Sequence, residues 1–224
     1  AAGLATHAFA TLPTTEWPTS GPRASLEILL ITNPLKPRNR WLNADDVAHV
    51  SAWLAADSRR RLLLDTVYTF DTRFDAATMQ LFATGQTIVL HSLTKAWLQP
   101  RLFGITLIPP ADAATLTPLF VANPPSQSNL ARARDLLLHH AAMPAAVRQT
   151  LRDAQQRLRT VLQNHHAIPA DAWLPTDAVG YLFPVQLPWQ TLLEQHHVLA
   201  MPASVFGSAR QDISIVSSLG CLSA

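Results

Sequence analysis

Residues 87–104 read TIVLHSLTKAWLQPRLFG, and residues 62–70 read LLLDTVYTF. Each is a short apolar run that ends abruptly in residues able to do chemistry: His91, Ser92 and Lys95 in one, Asp65 and Tyr68 in the other. Apolar runs of four to six residues without alternation are the mark of strands buried in a sheet, and the polar break places the chemistry at the strand end. A third run, SLEILLIT at 25–32, ends in NPLKPRNRWL at 33–42. A fourth, GITLI at 104–108, follows the lysine-bearing stretch. Between the runs at 25–32 and 62–70, Asn43 precedes Asp45 and Asp46 and then an apolar face at Val47, Val50 and Leu54, which predicts a capped helix. Strands separated by helices give an α/β chain with a mostly parallel sheet, covered on both faces.

Further along the pattern changes. Helices are expected over 129–142 and from 145 to about 164. Strands are expected at 179–187 and 213–217, around a helix at 189–195. The reading is therefore an extended lead-in over 1–24, rich in Thr, Pro and Ala, a larger α/β unit over 25–142, and a smaller α+β unit over 143–224.

Composition bounds the function. The 224 residues are 48% hydrophobic and 14% charged, with a mean hydropathy of +0.11, a balance that a disordered chain does not have. No apolar run reaches the 18 residues of a membrane span. The net charge of +2 comes without a basic stripe, so nucleic acid is not an expected partner. Arg59, Arg60 and Arg61 form the single basic run and read as a solvated connection. One cysteine, Cys221, allows no internal disulfide and fits a reducing, cytoplasmic setting. The start shows no signal-peptide pattern, and the missing initiator Met points to a processed chain or a piece of a longer one. Nine histidines include three adjacent pairs, but neighbours on a helix diverge by about 100°, so no metal site is expected. Neither a glycine-rich phosphate loop nor a Gly-x-Ser-x-Gly elbow is present.

What remains is the order of the strand ends: Asn33 and Lys36, then Asp65 and Tyr68, then Ser92 and Lys95. Ligands of open α/β sheets gather at this carboxyl edge. Lys36 and Lys95 are the only two lysines among seventeen basic residues. A lysine partly removed from water loses its proton more readily and becomes a nucleophilic amine. An acid such as Asp65 can keep a pyridinium ring protonated and therefore electron-withdrawing.

These stretches, in this order, resemble the class I/II (fold-type I) aminotransferases, which use pyridoxal 5'-phosphate, and most closely histidinol-phosphate aminotransferases and threonine-phosphate decarboxylases. NPPSQSN at 123–129 resembles the opening of that family's long interdomain helix, and AMPASVFG at 200–207 its C-terminal Pro…Phe-Gly turn. The resemblance covers about 26–217. It implies that Lys95 forms a Schiff base with the cofactor and shuttles a proton, that Asp65 pairs with the pyridine nitrogen, and that Tyr68 bonds the phenolic oxygen. Ser92, with help from Thr94, would hold the phosphate, and Asn33 would belong to the cofactor loop. It further implies an amino-acid-like substrate and a homodimer.

The chain departs from the pattern at three points. Lys36 stands where the family has an Asn on the phenolic oxygen, with Arg38 and Asn39 replacing the Thr and Gly that follow. The phosphate-binding Arg expected eight residues after Lys95 is Phe103, leaving Arg101 as its candidate. The carboxylate-binding Arg near the C-terminus is missing, leaving Arg210. These departures keep open a non-catalytic binding protein on the same scaffold, or a site completed by another chain.

Overall fold

The computed structural model describes residues 27–99 and 104–219. Strand β1 (Glu27–Thr32) leads through helix α1 (Ala44–Ala55) to β2 (Arg60–Asp65), and α2 (Ala76–Phe82) leads to β3 (Thr87–Ser92). These three strands are parallel and adjacent in chain order. A one-turn helix α3 (Leu93–Ala96) then reverses the chain into β4 (Gly104–Leu107), which runs antiparallel to β3 and closes the four-stranded sheet. Gly104 faces Ser92 across that pair, where a Cβ would stand 2.9 Å from the His91 carbonyl, so the approach requires glycine.

The predicted cap of α1 forms in full. Asn43 accepts from the Asp46 amide at 2.8 Å, and Asp46 accepts from the Asn43 amide at 3.0 Å. Two successive crossovers of the same hand put α1 and α2 on one face of the sheet. There Val47, Val50, Trp53, Leu54 and Leu81 bury Ile31, Leu62 and Leu64.

The opposite face differs from the expectation. Ile28 and Leu30 are 56% and 54% exposed, so among the described residues helices cover only one face of β1. The basic run is also corrected. Arg60 is 2% exposed, ion-paired to Glu27 at 2.8 Å and stacked 4.9 Å from the Trp53 ring. Its stem and charge are both absorbed by the first core, and only Arg59 keeps to the surface, paired with Asp57.

Helix α4 (Pro110–Val121) has no buried residue and no apolar stripe. Helix α5 (Gln127–His139) follows, and then α6 (Met143–His165). On α6, Val147 and Leu151 join a core with Phe70, Leu93 and Trp97, while Leu158 and Leu162 join another with Trp173, Phe183 and Val216. One helix thus serves both units. The second unit is a three-stranded antiparallel sheet of β5 (Leu182–Val185), β6 (Met201–Pro202) and β7 (Ser214–Ser217), in the order β5-β7-β6, with α7 (Trp189–His196) against it. Among the described residues no helix is long and apolar enough to cross a membrane.

Candidate functional site

The parallel register fixes the site before any side chain is considered. Thr32 pairs with Asp65, and Asp65 with Leu90, so the ends of β1 and β2 lie in one row with Leu90, and β3 runs two residues further to Ser92. The ladder continues past them: the Asn33 amide donates to the Asp65 carbonyl and the Thr66 amide to the Leu90 carbonyl, both at 2.8 Å. Every residue that follows a strand end is therefore held to the same edge.

Tyr68 is the hub. The Lys36 ammonium lies 4.7 Å and the Lys95 ammonium 5.6 Å from the centre of its ring. Both lysines of the chain thus converge on one tyrosine. Its hydroxyl is 2.7 Å from that of Tyr181, and the rings meet edge to face at 5.7 Å. Burial first, and then the bond to Tyr181, push the Tyr68 phenol up to about 12, with Lys95 pulling weakly the other way. Tyr181 lies 113 residues away on the segment entering β5, and no strand-end pattern marks it. The one available signal was rarity, since the chain has only two tyrosines.

Lys36 sits in a loop folded back on itself. The Leu35 amide donates to the Arg40 carbonyl at 2.7 Å, and the Lys36 amide to the Thr32 hydroxyl at 3.0 Å. Asn39 adopts φ 50°, the left-handed region. That explains how it can stand where the resembling family has glycine, because Asn tolerates this conformation better than other side chains. Its Oδ1 accepts from the Lys36 ammonium at 2.5 Å, its amide donates to the Leu182 carbonyl, and its own carbonyl accepts from the amides of Asp177 and Ala178. The loop is thereby locked to the second unit. A Cβ at Gly180 would stand 2.4 Å from the Asn39 Oδ1 and 2.9 Å from the Lys36 Nζ, so glycine leaves room for this contact. Loss of water around Lys36 lowers its pKa to about 8.

Asp65 Oδ1 accepts from the Val67 amide at 2.9 Å and Ser92 accepts from the Thr94 amide at 3.1 Å, which fixes both side chains at their strand ends. The Ser92 hydroxyl keeps its proton to donate. Thr94 enters the site through that amide.

Asn33 is corrected. It is fully buried, donating to Asp75 at 3.0 Å and Thr78 at 3.1 Å while accepting from the Leu42 amide at 3.1 Å. Both amide hydrogens and the oxygen are engaged, so it braces the loop against α2 and has no hydrogen left for a ligand. Arg210 is also displaced from its expected part. It lies exposed with its guanidinium on Asp212, and no contact ties it to the Tyr68 cluster. Arg101 falls outside the described residues. His91, at the end of β3, bonds Thr66 at 3.1 Å and packs on Phe74, which gives it a bracing part, and burial lowers its pKa.

No protein-family model matches the chain, and no curated protein matches it by sequence. Solved structures do. The fold matches a PLP-dependent aminotransferase from Streptococcus suis, at 16% identity and a TM-score of 0.65, over 88% of this chain and 54% of that one. An Escherichia coli protein for which a methionine aminotransferase function was identified matches at 19% identity and a TM-score of 0.68, over 88% and 56%. A putative histidinol-phosphate aminotransferase from Erwinia carotovora matches at 18% and 0.61, over 87% and 56%. The chain has the fold of these aminotransferases and spans about half the length of each.

Proposed function

We propose that the chain forms the cofactor-binding part of a pyridoxal-phosphate-dependent enzyme of the aminotransferase type, acting on an amino acid or a similar amine. The observation that carries this reading is the convergence of Lys95 and Lys36 on Tyr68, at the sheet edge where Asp65 ends β2 and Ser92 ends β3.

The residues fit the group. Lys36 is a largely buried cation whose bonded partner is a neutral amide, so an anionic oxygen beside it would relieve an uncompensated charge. Ser92 has a hydroxyl proton to give to a phosphate. Asp65 has its second oxygen open to a protonated ring nitrogen, since the Val67 amide takes the first.

Bound pyridoxal phosphate would supply an aldehyde for an amine and a ring able to draw electrons from the bond being broken. In this reading Lys95 would hold the group through its amine and would carry the proton taken from the substrate carbon. Asp65 holds the ring nitrogen protonated. Tyr68, kept neutral by its high pKa, can donate to the phenolic oxygen while accepting from Tyr181, when Tyr181 is the donor between the two hydroxyls. Lys36 takes the place of the family's Asn beside that oxygen.

A second reading, a binding protein on the same scaffold, draws on the Tyr68–Tyr181 bond, which takes up the proton the enzyme would need where Tyr68 is its donor. One experiment separates the two. Purified chain mixed with pyridoxal phosphate is expected to develop a visible absorption band that Lys95→Ala abolishes. Borohydride reduction followed by peptide mapping should put the label on Lys95. Absence of the band, or a band undiminished in Lys95→Ala, refutes the enzyme reading.

A further inference from the structure

Beside Tyr68 opens a cleft of ≈ 260 Å³ whose lining includes neither lysine. Its apolar walls are Trp41, Tyr68, Phe70, Phe74 and Val179. Its charges are three arginines, Arg73, Arg148 and Arg152, and three aspartates, Asp71, Asp75 and Asp177.

The two signs are not equally available. Asp71 is ion-paired to Arg148 at 2.9 Å and accepts from the Thr72 amide. Its carboxyl stays below the usual range because these bonds outweigh its burial. Asp75 caps α2, accepting from the Thr78 amide and hydroxyl and from Asn33. Asp177 accepts from the Trp41 amide at 2.8 Å. The guanidinium groups of Arg73 and Arg152, by contrast, make no hydrogen bond or ion pair with any described residue. Arg152 follows Arg148 by one turn of α6, so both project toward the same mouth. A cleft with engaged acids and two unengaged guanidinium forks presents net donor capacity, and its aromatic walls suit a flat body.

We propose that this cleft binds a small aromatic dianion, its charged end on Arg73 and Arg152 and its ring between the aromatic walls. Two forks match two negative charges, and both phosphomonoesters and dicarboxylates offer paired oxygens to a guanidinium. The site goes beyond the cofactor reading and does not depend on it. Tyr68 is shared with the lysine cluster, and the Asp177 amide reaches Asn39 beside Lys36, so an anion seated here lies beside the amine-bearing edge.

The test is calorimetric titration of the chain, without pyridoxal phosphate, with phenyl phosphate and with isophthalate. At least one probe is expected to bind saturably, and the tighter of the two identifies the charged group. The double variant Arg73→Ala/Arg152→Ala should weaken it tenfold or more with an unchanged urea midpoint, because neither side chain bonds the protein. Should that variant fail to fold, Arg73→Lys/Arg152→Lys keeps the charge, loses the forks, and should still weaken binding several-fold. Ser92→Ala, at the proposed phosphate end of the cofactor site, should leave binding unchanged. Absence of saturation by both probes, insensitivity to both arginine variants, or equal weakening in Ser92→Ala overturns the proposal. Failure of the cofactor band leaves this titration unaffected, so the two readings fail separately.

Discussion

Replacing Lys36 by methionine should flatten the rise of stability with alkaline pH. Burial lowers the Lys36 pKa from 10.5 to about 8. Between those values the unfolded chain holds a proton that the folded chain has released, so stability increases as pH rises through the window and the cost is greatest below it. Integrated from pH 7 to pH 9.5, the two pKa values give a gain of about 2 kcal/mol. The Tyr68 ring, 4.7 Å from the ammonium, favours the charged form and opposes the shift by about 1 kcal/mol, so the gain lies at about 1–2 kcal/mol. Methionine keeps the length and apolar stem and does not titrate. The measurement is the urea unfolding free energy of wild type and Lys36→Met at both pH values, the difference between the proteins cancelling the groups they share. The upper limit of pH 9.5 stays below the window from 10 to about 12, where retention of the Tyr68 proton makes the folded state less favourable. A wild-type advantage that grows by less than about 0.5 kcal/mol would show that Lys36 is solvated, and the uncompensated cation in the site would be refuted.

Tyr181→Phe leaves one tyrosine to titrate, and its phenol should ionise below about 12 yet above 10, since burial remains when the Tyr181 bond is gone; ultraviolet difference titration reads it, and an unchanged value contradicts the bond. Gly180→Ala should destabilise the chain by about 1–3 kcal/mol, because its Cβ would collide with Asn39 and Lys36; a urea midpoint equal to wild type would show that the loop yields freely. Asn33→Ala should cost about 2–3 kcal/mol by stranding the Leu42 amide and two partners on α2, with the loss appearing as stability even where cofactor binding is unaltered. Asn43→Ala should cost about 1 kcal/mol through loss of the α1 cap, and a loss under 0.3 kcal/mol would show that the cap bond is not made in solution.

The sequence by itself determined the strands, the capped α1 and the order of chemical residues at the strand ends, because these depend on near neighbours. An apolar run must be buried, an Asn before two acids caps a helix, and a polar break ends a strand. It also determined that both lysines follow strand ends, although not that they meet. What the sequence left undecided are contacts between residues far apart in the chain. Asn33 and Lys36 look alike as loop polar groups, yet packing against α2 consumes Asn33 while burial beside Tyr68 isolates Lys36. Arg60 reads as part of a solvated basic run until Glu27, 33 residues earlier, is paired beside it in the sheet. Tyr181 and Gly180 acquire meaning only when the second unit closes on the 33–40 loop. Local composition fixes which segments can be buried. Only the tertiary structure decides which polar groups share a buried space, since desolvation and hydrogen bonding act through distance in space and not along the chain.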